Sequence, residues 1–316
     1  MQLFEEIRQF LLESVQLNKK PLIAILGPTA SGKTALSLKI AKEFRGEIIS
    51  ADSRQIYRYM DIGTDKIPVS MQEGVRHYLL DIIEPNGEFT VADFKRMTLK
   101  IMSEIHARQN VPILCGGTGL YLDAVIENYQ IPQIPPQYDI RQKLAQYYEQ
   151  HGATALHELL KERDPETAAR IHPNNVRYVI RALEINIVGG DRKQDRKGGR
   201  MFNVLKIGID WPRELLYERI NRRVDNQLER GLLNEVKNLL MKGYHEKLPA
   251  MSSLGYLELV NHIKGEKPLQ EAVEDIKRNT RNYAKRQMTW FRRYTDIKWI
   301  GGEELESVLK AAAPQS

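Results

Sequence analysis

Short apolar runs alternate along the chain with longer segments whose apolar residues recur every three or four positions. The runs at 22–26, 48–49, 78–83, 113–115, 204–209 and 297–300 have the length of buried strands, and helical periodicity fills the segments between them. This alternation predicts an α/β fold, a parallel sheet of the phosphate-loop type flanked by helices. It breaks between about 131 and 200, where a proline-rich stretch, IPQIPPQYD, opens the interruption and a glycine-rich charged one, VGGDRKQDRKGGR, closes it. Between these, Ile140, Leu144, Tyr147 and Tyr148, then Leu156, Leu159 and Leu160, fall at helical spacing. A helical insertion at 131–200 within a core of 21–130 and 201–316 is therefore expected. Ahead of the core, Leu3, Phe4, Ile7, Phe10, Leu11 and Leu12 predict a packed helix in an N-terminal extension, 1–20, and the acids among them do not fit a signal peptide. After the insertion, Leu216, Ile220, Val224 and Leu228 recur every four residues and predict one long amphipathic helix over 211–243.

Composition narrows the setting. At 316 residues and 42% hydrophobic content the chain can bury a substantial core. A single cysteine, Cys115, excludes an internal disulfide, and no apolar run approaches the roughly 18 residues needed to cross a bilayer. A reducing, cytoplasmic setting without membrane attachment, and a monomer, are expected. His151 and His157 are six apart and no HExxH spacing occurs, which argues against a zinc site. The net charge of +6 matters through its distribution. Residues 277–298 hold eight Lys or Arg against one acid, Asp296. At a helical turn of about 100° per residue, Tyr283, Gln287, Trp290, Phe291 and Tyr294 share one face and read as core. Arg278, Arg281, Lys285 and Arg292 line the opposite face, either as solvated charge or as a stripe that tracks phosphates. Arg141, Arg177 and Arg181 in the insertion, with Arg192, Lys193, Arg196 and Lys197 in its closing loop, make a second basic cluster.

Candidate chemistry enters at Gly27-Pro28-Thr29-Ala30-Ser31-Gly32-Lys33-Thr34, between an apolar strand and a helix. Loop amides and the positive end of that helix would converge on an anion, with Lys33 on phosphate oxygens and the Thr34 hydroxyl a ligand of Mg²⁺. Alone, the motif specifies only a diphosphate or polyphosphate. A second strand end runs into Asp52, Ser53 and Gln55, a carboxylate that could bind Mg²⁺ or take a proton beside groups that could read a base edge; Asp52 could equally cap the next helix. A third ends in Cys115-Gly116-Gly117-Thr118, where a nucleotide-hydrolysing enzyme of the usual kind carries a Mg²⁺-binding Asp. Its glycines imply close approach of backbone to a ligand, with the Thr118 hydroxyl beside it. Cys115 itself reads as core. His172, in the turn IHPNN, either caps a helix or contacts nucleic acid.

Taken in order and with their separations, GPTASGKT, ADSRQIY, GGTGLYLDAV, IHPNNVRYVIRALE and NTRNYAKRQMTWFRR resemble the tRNA dimethylallyltransferase family, the bacterial tRNA isopentenyltransferases, over about 21–293. The resemblance implies transfer of a dimethylallyl group from dimethylallyl diphosphate to N6 of the adenosine 3′-adjacent to the anticodon, tRNA position 37, with Mg²⁺ as cofactor and the tRNA anticodon arm as partner. The loop would then hold the diphosphate of a prenyl donor, and the bond broken would be carbon–oxygen. An exocyclic amine is a poor nucleophile and diphosphate leaves well only when its charge is neutralised, so the site needs a base and a cationic clamp. By resemblance Asp52 is the base, while Lys33, the loop amides, Thr34 with Mg²⁺ and Arg223 form the clamp, Arg219 being the competing arginine. The target nucleotide, turned out of its stack, is assigned to Asp52, Ser53, Arg54, Gln55 and Thr118. Further tRNA contacts fall to Arg141, Arg177, Tyr178, Val179, Ile180, Arg181, Arg281 and Lys285, so that the insertion and the basic helix grip the arm from two sides. The chain departs from the family pattern in having Arg177-Tyr178 where Gln-Arg usually follows HPN.

Overall fold

The computed structural model describes residues 2–131, 134, 136–189 and 198–310. Strands β1 (Pro21–Leu26), β2 (Gly46–Ser50), β3 (His77–Tyr78), β4 (Val111–Gly116), β5 (Asn203–Asp210) and β6 (Ile297–Gly301) form one parallel sheet in the order β3-β2-β4-β1-β5-β6. The first helices are α1 (Gln2–Gln16), α2 (Lys33–Glu43), α3 (Val91–Ala107) and α4 (Gly119–Ile126), followed by α5 (Tyr138–Arg163), α6 (Pro165–Ala168) and α7 (Val176–Ile187). The rest are α8 (Arg213–Glu229), α9 (Leu232–Met241), α10 (Tyr256–Ile263), α11 (Leu269–Phe291) and α12 (Gly302–Lys310).

Side chains alternate between the faces of a strand, so β1 divides its apolar run: Ile23 and Ile25 enter one core, Leu22, Ala24 and Leu26 the other. Burial on both faces is why the strand runs are continuous and not alternating. The first core is closed by Leu36 and Ile40 of α2, Leu305 and Val308 of α12, and Leu3, Phe4, Ile7 and Phe10 of α1. The N-terminal helix is thus part of the α/β body. The second core is closed by α3 and α4 through Phe94, Met102, Ile105, Leu122 and Val125.

The chain divides into two compact units, Met1–Ile126 with Arg200–Ser316, and Glu127–Gly199. The second is a small helical body around Leu144, Leu156, Leu160, Val179 and Leu183, its α5 kinked at Gly152. Among the described residues no helix is long and apolar enough to cross a membrane.

Two expectations are corrected. The strand expected at 78–83 is only His77–Tyr78, because Leu79 (φ 62°) and Asp81 (φ 54°) take left-handed backbone that cannot continue a ladder. The single helix expected over 211–243 is α8 and α9, separated at Gly231, whose φ of 97° turns the chain between them.

Candidate active site

Strands β2, β4 and β1 are neighbours at the centre of the sheet, so the loops leaving their carboxyl ends open on one crevice. The second and third motifs touch through backbone: Ala51 N–H donates to Cys115 O at 2.8 Å and Thr118 N–H to Ala51 O at 3.2 Å. A Cβ on Gly116 would sit 2.2 Å from Ala51 O, so only glycine permits this approach. Thr118 Oγ1 then accepts from Ser53 N–H (3.1 Å). Asp52 Oδ1 accepts from Arg54 N–H (2.8 Å), closing a turn rather than capping a helix.

The phosphate loop is clamped from two sides. Lys33 Nζ folds onto Pro28 O at 2.7 Å, and Gly32, with φ of 99°, starts α2. On one flank, Trp211 Nε1 donates to Ser31 O and Arg219 Nε to Ala30 O, each at 2.9 Å, with the Arg219 guanidinium 4.3 Å from the Trp211 ring. On the other, Gln287 of α11 accepts from Thr29 N–H and donates to Gly117 O, both at 2.9 Å. One buried amide therefore fastens the first motif to the third.

These motifs surround a cavity of about 360 Å³ within the α/β unit. Lys33, Thr34, Asp52, Ser53, Arg54 and Gln55 line it, and Arg223 stands in the wall. Arg219 is turned to the loop backbone, so of the two competing arginines Arg223 is the one that faces the cavity. Burial lowers Lys33 to about 8, with Arg223 adding to the effect and Asp52 and Asp65 opposing it. Gln55 accepts from Ser50 Oγ (2.9 Å) and donates to Thr64 O (3.2 Å), which fixes its amide plane.

Tyr283 and Gln287, read from the sequence as core, lie in the cavity wall because their face of α11 covers the carboxyl ends of the strands. Burial pushes the Tyr283 phenol up to about 12, so it stays neutral. Cys115 also lines the cavity, with burial raising its thiol out of the reactive range. Arg286, which the sequence pattern did not single out, lines it too; its guanidinium is 5.7 Å from the Tyr283 ring and has no ion pair among the described residues. For Tyr283, Arg286 and Gln287 the available signal was their spacing of three and four on one helix.

The remaining sequence-derived contacts are dispersed. Arg54, at the cavity, donates to Pro249 O (2.6 Å), whereas Arg281 donates to Asn221 Oδ1 (2.7 Å) and Lys285 is exposed. In the helical unit, Arg141 and Arg181 converge on the fully buried Glu184 at 2.9 and 2.6 Å. Burial pushes the Glu184 carboxyl up, but hydrogen bonds from both arginines and Gln137 N–H outweigh it and hold the group ionised. One of those two charges is thus offset by Glu184, and both side chains are held by it. Arg177 and Tyr178 are exposed on the first turn of α7, Ile180 is half-buried, and Val179 is in the unit's core. His172 Nδ1 accepts from Asn174 N–H (3.2 Å), capping the turn before α7. Arg192, Lys193, Arg196 and Lys197 lie outside the described residues.

A family profile described as IPP transferase matches residues 55–294. A tRNA dimethylallyltransferase of Acetivibrio thermocellus is 47% identical over 291 residues, 90% of this chain and 93% of that protein. The protein of the same name from Thermoanaerobacter sp. is 45% identical over 88% of this chain and 91% of its own. Among solved structures, the full-length tRNA isopentenylpyrophosphate transferase of Bacillus halodurans superposes with a TM-score of 0.69 at 42% identity, covering 92% of this chain and 95% of that one. A eukaryotic dimethylallyltransferase acting on tRNA gives 0.76 at 27% identity over 93% and 76%. With three strand-end motifs gathered on one cavity and relatives of this closeness over nearly its whole length, the chain belongs to the tRNA dimethylallyltransferase family.

Proposed function

We infer that this protein transfers a dimethylallyl group from dimethylallyl diphosphate to N6 of the adenosine at tRNA position 37, yielding N6-dimethylallyladenosine and diphosphate. The observation that carries the reading is a phosphate loop sharing one cavity with the carboxylate of Asp52, while β4 ends in Cys115-Gly116 where a nucleotide-hydrolysing enzyme would place an acid. No water needs aiming at a terminal phosphate when the bond to break is carbon–oxygen.

In this reading the donor's diphosphate rests on the phosphate loop, Gly27 to Thr34, of which Thr29, Lys33 and Thr34 line the cavity, with Arg223 also in the lining. The electron pair of the breaking C–O bond goes to the diphosphate, the N6 lone pair forms the new C–N bond, and Asp52 takes the N6 proton. Ser53, Arg54, Gln55 and Thr118 hold the turned-out adenine, supported by the fixed amide of Gln55 and the Ser53–Thr118 contact. The Thr34 hydroxyl, in the cavity lining beside Lys33, is a hard oxygen donor of the kind that suits Mg²⁺. Thr34 would hold the ion together with diphosphate oxygens, and the ion would neutralise leaving-group charge. Exposed Lys285 and Arg286 on α11 and Arg177 on α7 support an anticodon-arm partner whose phosphates they track.

The test is transfer of labelled dimethylallyl to unmodified tRNA with Mg²⁺, beside an ATP-consumption control. Label should enter tRNA without ATP loss, and Asp52→Asn should reduce the rate at least about a hundredfold. ATP turnover without prenyl transfer would overturn the assignment.

A further inference from the structure

One acid faces the cavity without a part in the chemistry above. Asp65 lines the cavity together with Lys33 and Arg223. It takes left-handed backbone, φ 52°, and its loop is pinned: Asp65 N–H donates to Ile62 O at 3.1 Å, and Gln55 Nε2 donates to Asp65 O at 3.4 Å. From α9, Glu235 accepts the amides of Asp61, Ile62 and Gly63 at 2.9, 2.7 and 3.1 Å, and Gln227 of α8 donates to Ile62 O and Gly63 O. Seven hydrogen bonds thus pin the loop that carries this carboxylate.

Its two cations are held unequally. Arg230 Nη1 is 3.0 Å from Oδ1, whereas Arg223 Nη1 is 3.5 Å from Oδ2, longer than a charge-assisted hydrogen bond. Arg230 is therefore the anchor and Arg223 the loose partner, free to exchange one anion for another. A carboxylate beside a site that must attract diphosphate lowers affinity for that ligand by repulsion and by occupying its cation.

We propose that Asp65 is a built-in competitor of the leaving group: it aims Arg223 at the cavity, yields it to the diphosphate oxygens, and reclaims it as diphosphate departs. Product release is thereby favoured, since the Arg223 charge never loses an anionic partner. The proposal rests on the reading of Arg223 as a diphosphate contact.

The experiment measures binding of inorganic diphosphate with Mg²⁺ to the full chain by calorimetry, for wild type, Asp65→Asn, Arg223→Gln and the double variant. Asp65→Asn should bind about fivefold tighter, the size of a partly exposed ion pair, and be correspondingly more sensitive to product inhibition. In the Arg223→Gln background the gain should vanish. Unchanged or weaker binding by Asp65→Asn overturns the proposal, the weaker outcome being that of a carboxylate serving as a metal ligand. A gain that persists without Arg223 overturns the exchange. The two readings fail separately: unaltered affinity in Arg223→Gln removes Arg223 from the diphosphate site, whereas loss in Arg223→Gln with no gain in Asp65→Asn removes only the competition. Should Asp65→Asn not fold, Arg230→Gln frees Asp65 to hold Arg223 more firmly and should weaken diphosphate severalfold; unchanged affinity there overturns the proposal.

Discussion

Gln287 is the residue whose removal tests the architecture of the site most directly. Its side chain is 6% exposed and makes both hydrogen bonds that tie Thr29 of the phosphate loop to Gly117 of the third motif. Gln287→Ala removes two bonds worth about 1 kcal/mol each and leaves the buried Gly117 carbonyl without a partner, for a total loss of roughly 2–4 kcal/mol. In a body of this size that corresponds to a fall in Tm of roughly 5–12 °C. A second substitution sharpens the test. A Cβ on Gly117 would lie 2.2 Å from Gln287 Nε2, with its next neighbours at 3.4 Å or beyond. Gly117→Ala should therefore destabilise the wild type by breaking the same clamp, yet cost little more once Gln287 is alanine. Calorimetric melting of the two single variants and the double variant measures this coupling. Additive losses, or a Gln287→Ala protein melting within about a degree of wild type, would show that the amide does not bridge the loops.

Other expectations follow from charge. Burial lowers Lys33 to about 8, and diphosphate favours the ammonium form, so binding near pH 8 should draw up about half a proton, read from the dependence of calorimetric enthalpy on buffer ionisation. Buffer independence would refute it. Because the folded value lies below the ordinary 10.5, the unfolded chain binds more protons between about 8 and 10.5. Lys33→Met should accordingly melt higher than wild type at pH 7, with the gap closing as pH rises through that window. Glu47 shows the opposite sign: burial pushes its carboxyl up, but hydrogen bonds from Arg108, Tyr78 and Asn110 outweigh this and bring it to about 2. Its stabilisation, complete above about 4.5, is lost as pH falls toward 2, so Glu47→Gln should flatten the acid limb of a Tm–pH curve; an unchanged limb would contradict the network. For tRNA binding, Lys285→Ala should reduce the slope of log K against log salt by about 0.7–0.9 if Lys285 contacts a phosphate, and an unaltered slope would remove it from the interface.

Much of the fold is legible in the sequence alone, because it is written locally. A strand buried on both faces reads as a continuous apolar run, a helix on a core as a period near four, and a phosphate loop as glycines at fixed offsets from Lys33 and Thr34. These patterns depend on backbone geometry over a few residues. They fail where a single torsion decides: nothing in the composition of 78–83 marks the left-handed turns of Leu79 and Asp81 that end β3 after two residues, or shows that Gly231 divides α8 from α9.

What only the tertiary structure decided is which faces meet. Arg219 and Arg223 are one turn apart on α8 and equivalent by pattern, yet one braces Ala30 O while the other faces the cavity. Arg141 and Arg181 read as unmatched charge until Glu184, 43 and three residues away, is seen between them. Gln287 is 258 residues from Thr29 and 170 from Gly117, and its helical face has the same period whether it covers a core or a ligand cavity. Asp65 acquires its two arginines from α8 and the turn that follows it only once the loop is pinned by Glu235 and Gln227. Periodicity is set by short-range sterics and hydrogen bonding and survives in the sequence; the pairing of distant faces is set by packing and electrostatics across the folded chain, and exists only there.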